Sequence, residues 1–185
     1  RHRRRTNTQV GSTRNVKAHY DLGNRFFELF LGPSLTYSCA VWEDGGDLER
    51  AQWRTYQAVC DKLGIGAGDH VLEIGCGWGG FALHAVRATG CRVTGLTISR
   101  EQYGLARRRV QDVGLADRID VQHRDDRDVQ GTFDKIASIE MFQAVGREYW
   151  TAFFRTCGRA LRQGGSMLRQ TIAIPDARVR QARRA

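Results

Sequence analysis

The stretch VLEIGCGWGG, residues 71–80, decides the fold. Four residues of β-forming character run into a turn holding glycines at 75, 77, 79 and 80, and GGFALHAVRAT then continues with helical spacing. A strand, a glycine turn and a helix in that order form half of a nucleotide-binding βαβ unit. Working outward, HVLEIG, CRVTGLT, RIDVQH, FDKIASI and SMLRQTI read as five strands. Between them lie helices predicted at 79–89, from Ser99 to Val113, and from Tyr149 to Leu161. The last carries Trp150, Phe153, Phe154, Cys157 and Leu161 on one face. Strand–helix alternation predicts an α/β protein: a parallel, Rossmann-like sheet with helices on both faces and ligands at the carboxyl ends of its strands. Ahead of it, NRFFELFL (24–31) predicts a short apolar helix capped by Asn24, and a longer helix runs from Asp47 to Leu63 before Gly64.

Composition narrows the function classes. The 185 residues suffice for one domain with a core, and 41% hydrophobic with 26% charged residues is ordinary for a globular chain. No apolar run reaches the length of a membrane span, and RHRRRTNTQV offers no secretory signal. Five cysteines, scattered and never in C-x-x-C spacing, favour reduced thiols in a cytoplasmic protein over disulfides or zinc; no metal site is expected. The net charge of +9 is carried largely by arginine, with clusters at 1, 3, 4 and 5 and at 178, 180, 183 and 184. Such clusters suit an anionic membrane surface or nucleic acid, against the plainer reading of solvated tails.

Glycines 75, 77 and 80 spell G-x-G-x-x-G, so the bound nucleotide has to be identified. A dinucleotide site calls for an acid about 20 positions beyond the first glycine. The chain has Gly95-Leu96-Thr97 there, which demotes a nicotinamide cofactor. Glu73, two residues before Gly75, resembles instead the hhEhGxGxG motif of S-adenosylmethionine methyltransferases.

Three longer blocks then carry a closer resemblance: HYDLGNRFFELFLGPSLTYSCAVW (19–42), VTGLTISREQ (93–102) and FDKIASIEMFQAVGREYW (133–150). Together, from about residue 16 to 175, they resemble the cyclopropane-fatty-acid synthase family, including its fatty-acid C-methyltransferases. The resemblance implies a class I S-adenosylmethionine-dependent methyltransferase acting on the double bond of an unsaturated phospholipid acyl chain. It places Glu73, Gly75 and Gly77 at the cofactor turn, Tyr37 and Ser38 over the cofactor, Thr97 and Gln102 at the ribose, and Asp125 near adenine. Asp126 stands where relatives carry a stacking aromatic, a loss expected to weaken cofactor binding modestly. Ser99-x-x-Gln102 also reads as a helix capping box, which competes with a ligand role for Gln102.

The resemblance further implies a bicarbonate ion near the reacting carbon, held by the backbone of Cys39, a glutamate, a histidine and Ile172. Here Gln143 and Gln170 replace the two side chains, which casts doubt on bicarbonate; Gln143 cannot accept a proton. Glu140 is the remaining nearby carboxylate and is expected to substitute in orienting the base, against a plainer role at the cofactor or a helix start. A thiol nucleophile at Cys39 is disfavoured, since no cation or base flanks it. Phe26, Phe27, Phe30 and Trp42 are expected in the core more than at a substrate, although their density also suits a lid over an acyl chain. Arg107, Arg108 and Arg109 are expected on a solvated helix face. His19 is expected to do no more than fix local geometry.

The expected organisation is a basic flexible tail (1–15), an N-terminal helical cap (16–63), a methyltransferase core (64–175) and a basic tail (176–185). Relatives are expected to carry seven strands against five here, which suggests a fragment or a shortened paralogue with an exposed sheet edge. Two other classes compete: a nucleic-acid methyltransferase, disfavoured because no [DN]PP[YF] tetrad is present, and a non-catalytic cofactor- or lipid-binding module. The implied partners are unsaturated phospholipids at the inner membrane face, with no nucleic acid. Ring or branched product, double-bond position, headgroup and oligomeric state stay open.

Overall fold

The computed structural model describes residues 7–9, 11–12, 14–15, 23–43 and 45–175. Its centre is a five-stranded, wholly parallel sheet in the order β3-β2-β1-β4-β5, formed by β1 (His70–Ile74), β2 (Arg92–Thr97), β3 (Ile119–His123), β4 (Phe133–Ile139) and β5 (Leu161–Gln170). The chain begins in the middle of the sheet, winds outward through β2 and β3, then returns to β4 on the other side of β1. The strand order therefore reverses beside β1, and the crevice at that reversal is where ligands of such sheets bind. The expected α/β architecture with parallel strands is present.

The helices cover both faces because the central strands are apolar on both sides. Val71, Val93 and Ala137 pack with Phe81, Ala85 and Ala106 on one face, whereas Leu72, Ile74, Leu96 and Ile136 pack with Phe153, Cys157 and Ala160 on the other. The helices are α1 (Asn24–Glu28), α2 (Leu48–Leu63), α3 (Gly80–Thr89), α4 (Arg100–Asp112) and α5 (Trp150–Ala160). Helix α2 starts and stops where its residues dictate: the Asp47 carboxylate accepts from the Arg50 N–H at 2.8 Å, and Gly64 closes it in the left-handed region at φ 58°.

Several sequence expectations need correction. Asn24 does not cap α1; Gly23 occupies that position, while Asn24 accepts a 2.7 Å bond from the Trp78 indole and donates toward the Glu101 carbonyl. Helix α1 ends at Glu28 rather than at residue 31. Of the four aromatics assigned mainly to the core, only Phe27 is buried, its ring tilted against Trp78 at 5.0 Å between centroids. Phe26 remains exposed because a five-residue helix offers a single inward position per turn, and Phe30 and Trp42, which lie beyond that helix, are exposed as well. The face expected from Trp150 to Leu161 divides likewise: Phe153 and Cys157 are buried, Trp150 and Phe154 are exposed around Phe142, and Leu161 already belongs to β5. Strand β5 starts earlier than expected because Leu161 pairs with Phe133 ahead of a bulge, and its regular ladder runs from Ser166 to Gln170 rather than to Ile172.

Arg109 is not on a solvated face. Its guanidinium donates to the carbonyls of Trp78 at 2.6 Å, Pro33 at 3.0 Å and Ser34 at 3.2 Å, so it ties the N-terminal segment to the glycine turn. Arg107 and Arg108 are exposed as expected. A second tie is a buried polar network. The Ser34 hydroxyl donates to Gln52 Oε1 at 2.6 Å, Thr36 donates to Ser34 at 2.8 Å, and the Thr36 and Tyr56 hydroxyls lie 2.7 Å apart. These groups dock 34–36 onto α2 in one geometry, since each buried polar atom needs its partner. His19, the start of the first resembling block, the arginine clusters at both termini and residues 176–185 lie outside the described residues.

Candidate functional site

A cavity of about 870 Å³ opens at the carboxyl ends of the strands. That volume suits a nucleoside-sized ligand with space beside it. Its floor comes from Ile74 and Gly75 at the end of β1, Leu96 to Ile98 at the end of β2, Arg124 to Arg127 after β3, and Ile139 with Glu140 at the end of β4. Phe30, Leu31 and Thr36 to Ser38 form its N-terminal wall.

The turn after β1 is built as a cradle. Gly75 adopts φ 82°, and a Cβ there would lie 2.6 Å from Met141 Cγ, so only glycine fits without displacing that side chain. Gly77, at φ 53°, would project its Cβ into open space, which leaves the backbone bare toward a ligand. Glu73 does not line the cavity. It is 3% exposed beneath the turn, where burial pushes its carboxyl up to about 8 against a hydrogen bond from the Ala82 backbone. Its Oε2 has no partner among the described residues. The motif acid thus supports the cradle from below.

At the end of β2, Thr97 Oγ1 donates to Gln102 Oε1 at 2.7 Å and accepts from the Ser99 N–H at 3.2 Å. Only half of the expected capping box forms: Ser99 Oγ accepts from the Gln102 N–H at 3.3 Å, but the Gln102 side chain turns to Thr97 rather than back to the Ser99 amide. With its oxygen engaged, Gln102 offers its amide nitrogen as a donor on the cavity wall. An uncharged amide donor, held by Thr97, therefore occupies the place where dinucleotide enzymes set an acid.

Ser38 and Tyr37 both line the cavity. The Ser38 hydroxyl is buried without a partner among the described residues, an uncompensated polar atom that a polar ligand would satisfy. Tyr37 packs edge-on against Phe27 at 5.6 Å. Asp125 lines the cavity with both oxygens held by Arg127, at 2.7 Å from Nε and 2.6 Å from Nη2, although a carboxylate can accept further bonds. Asp126, in the place of the expected aromatic, has its carboxyl pushed up to about 6, first by burial and then by Asp125.

Arg127 was not foreseen. It also donates to the Asn7 carbonyl at 3.0 Å, while Asn7 donates to the Ala144 carbonyl at 2.8 Å. Asn7, Ser12 and Asn15 line the cavity, so a boundary at residue 15 does not divide a tail from the site. Nothing local in the sequence signals this, because the contacts span more than 110 positions. The Gln52–Tyr56 network was detectable in principle as polar residues on the inward face of α2.

At the opposite end of the cavity, four expected residues converge. Glu140 Oε1 accepts from the Cys39 N–H at 2.9 Å and from Gln170 Nε2 at 3.0 Å. Gln170 Nε2 also lies 3.3 Å from Cys39 Sγ. Gln143 donates to the Glu140 carbonyl at 2.8 Å and accepts from the Thr171 hydroxyl at 3.1 Å. Ile172 lines the cavity nearby and is exposed. Glu140 holds a left-handed backbone at φ 48°, a conformation costing a non-glycine residue roughly 1–2 kcal/mol. Burial raises the Glu140 pKa, but the hydrogen bonds from Cys39 and Gln170 outweigh it and hold the carboxyl below its ordinary value. The same carboxylate, with burial behind it, pushes the Cys39 thiol up, which disfavours a nucleophilic thiolate. Among the described residues no cluster has metal-ligand character, and no helix is long and apolar enough to cross a membrane.

Known proteins resemble this chain in both sequence and fold. The chain is 38% identical over 172 residues to a probable fatty acid methyltransferase of Pseudomonas putida, covering 91% of this chain and 44% of that protein. It is 39% identical over 156 residues to the cyclopropane-fatty-acyl-phospholipid synthase of Escherichia coli strain K12, covering 84% of this chain and 40% of that protein. The chain thus spans less than half the length of these curated relatives. The crystal structure of the mycolic acid cyclopropane synthase CmaA1 complexed with SAH and CTAB superposes with a TM-score of 0.81 at 35% identity, over 85% of this chain and 55% of that one. The family model described as mycolic acid cyclopropane synthetase matches residues 7–185, and the chain belongs to that family.

Proposed function

We propose that the natural protein transfers a one-carbon unit from S-adenosylmethionine to the double bond of an unsaturated phospholipid acyl chain, leaving a cyclopropane or a methylene branch. The observation that carries this reading is one cavity with two unlike ends. At one end are a bare glycine cradle, the Thr97–Gln102 pair and the Ser38 hydroxyl, which has no partner among the described residues; at the other stands the Glu140 carboxylate. When bound, S-adenosylmethionine supplies an electrophilic methyl group. An isolated alkene is a weak nucleophile, so the chain's own task is to hold it dry and aligned. Leu31, Phe30 and Tyr37 give the cavity an apolar wall for such a chain. The Tyr37 ring face suits a positive charge developing on the alkene carbon.

Outside the cavity, Phe26, Leu29, Val41 and Trp42 are exposed apolar residues of the N-terminal segment, with Leu29 83% and Trp42 57% exposed. Together with the net charge of +9, these residues support work at an anionic membrane face on the cytoplasmic side. Incubating the natural protein with S-adenosylmethionine and vesicles of unsaturated phosphatidylglycerol tests the reading by mass spectrometry. Acyl chains should gain one carbon and two hydrogens. Cofactor binding without any gain would replace the enzyme by a non-catalytic binding module.

A further inference from the structure

From the convergence of Cys39, Glu140, Gln143 and Gln170 we infer that the chain carries its own base: the Glu140 carboxylate stands where a soluble anion would sit and takes the proton itself, so that turnover needs no bicarbonate. The inference rests on the functional reading above and deepens it.

The donors that converge at this end already serve Glu140. The Cys39 N–H and the Gln170 amide both point to Glu140 Oε1, and the Gln143 amide is used on the Glu140 carbonyl. A bicarbonate ion would have to displace a carboxylate of like charge from its two donors, and no cation among these residues would offset the repulsion. The residues present therefore do not fit bicarbonate. A side chain at this position ordinarily disfavours the left-handed backbone, yet Glu140 adopts it, and the result is a carboxylate on the cavity wall rather than a bare glycine.

The chemistry balances without another reagent. Methyl transfer to one alkene carbon leaves the other cationic. For the ring, a C–H bond of the transferred methyl breaks and its electron pair bonds to the cationic carbon, closing the three-membered ring. For the branch, a hydride first shifts from the methylated carbon to the cationic one, and a methyl C–H then breaks to form the C=CH2 double bond. The proton passes to the Glu140 carboxylate and from there to water. A proton beside a carbocation is strongly acidic, so a carboxylate of low basicity suffices. Oε1 keeps the Cys39 and Gln170 bonds throughout, which fixes the carboxylate while it cycles.

Three arms on the natural protein test this, with S-adenosylhomocysteine affinity measured by calorimetry beside each. In carbonate-free buffer the wild-type rate should stay within threefold of its value in bicarbonate. Glu140→Gln should lower the rate by about 10²–10⁴-fold with S-adenosylhomocysteine affinity within threefold, the loss expected when a positioned base is removed. Glu140→Gly, which accepts φ 48° without strain and should fold normally, should broaden the ¹³C resonance of labelled bicarbonate where the wild type does not. A wild-type rate that collapses without bicarbonate and returns with it overturns the inference, as do an active Glu140→Gln and equal ¹³C line widths with the two proteins. Absence of any one-carbon gain by the wild type in either buffer would overturn the functional reading itself, a result distinct from bicarbonate-dependent activity.

Discussion

The two ends of the cavity were built by different means. The base of the cofactor end is local, with Ser38 added from the N-terminal segment: Gly75 and Gly77 follow directly on β1, and Thr97, Ser99 and Gln102 lie within six residues of one another where β2 meets α4. The reacting end is assembled from afar, since Cys39 reaches Glu140 across 101 positions and Gln170 across 131. Local sites survive moderate disturbance elsewhere, whereas an assembled one depends on the N-terminal segment staying docked. The polar network through Ser34, Thr36, Gln52 and Tyr56, with Arg109 beside it, is what keeps it docked.

The sharpest way to break this comparison is at the cradle. Gly75→Val should abolish measurable S-adenosylhomocysteine binding and destabilise the fold by about 2–4 kcal/mol, through a left-handed β-branched residue and overpacking on Met141. Calorimetry and urea denaturation read both effects. Next in size, Gln52→Leu strands the Ser34 hydroxyl and the Thr36 carbonyl. It should cost about 2–3 kcal/mol and release the 34–42 segment, so that hydrogen exchange at the Cys39 amide accelerates while the Gly75 amide, bonded to the Leu96 carbonyl, stays protected.

Gln102 and Ser99 separate ligand from cap. Gln102→Leu should weaken S-adenosylhomocysteine about tenfold, whereas Ser99→Ala should remove roughly 1 kcal/mol of stability and leave affinity within threefold. The reverse pattern would show that Gln102 serves the helix alone.

The last effect is a slope with pH rather than a loss at one pH. Glu73 titrates near 8 in the fold and near 4.5 when unfolded, so the native state holds more protons between those values. Stability should therefore fall as pH rises from about 5 to 8, the penalty being absent below the unfolded value. Glu73→Gln should flatten that slope and stabilise the protein at pH 8, as read by denaturation midpoints across pH.

How much of this was legible in the sequence follows the same division. Strand–turn–helix punctuation, the missing acid at Gly95-Leu96-Thr97 and the helix ends at Asp47 and Gly64 are encoded within a few residues, and the structure places them as read. The reach of Arg127 to Asn7, the clamp made by Arg109 and the exposure of Phe26, Phe30 and Trp42 depend on which surface each segment meets, and residue spacing carries no trace of that. Glu140 lies between the two. Its position at the end of β4 was readable, but its left-handed backbone and its grip on the Cys39 amide were not.

The central claim is that the turn at Gly75–Gly77, completed by Thr97 and Gln102, holds a sulfonium donor rather than a nicotinamide nucleotide. Titration calorimetry of the natural protein with S-adenosylhomocysteine and, separately, with NADH measures this directly. The account predicts saturable heat with the first, weakened by Gln102→Leu, and none with the second. Heat with NADH that Gly75→Val removes, alongside silence with S-adenosylhomocysteine, would contradict it.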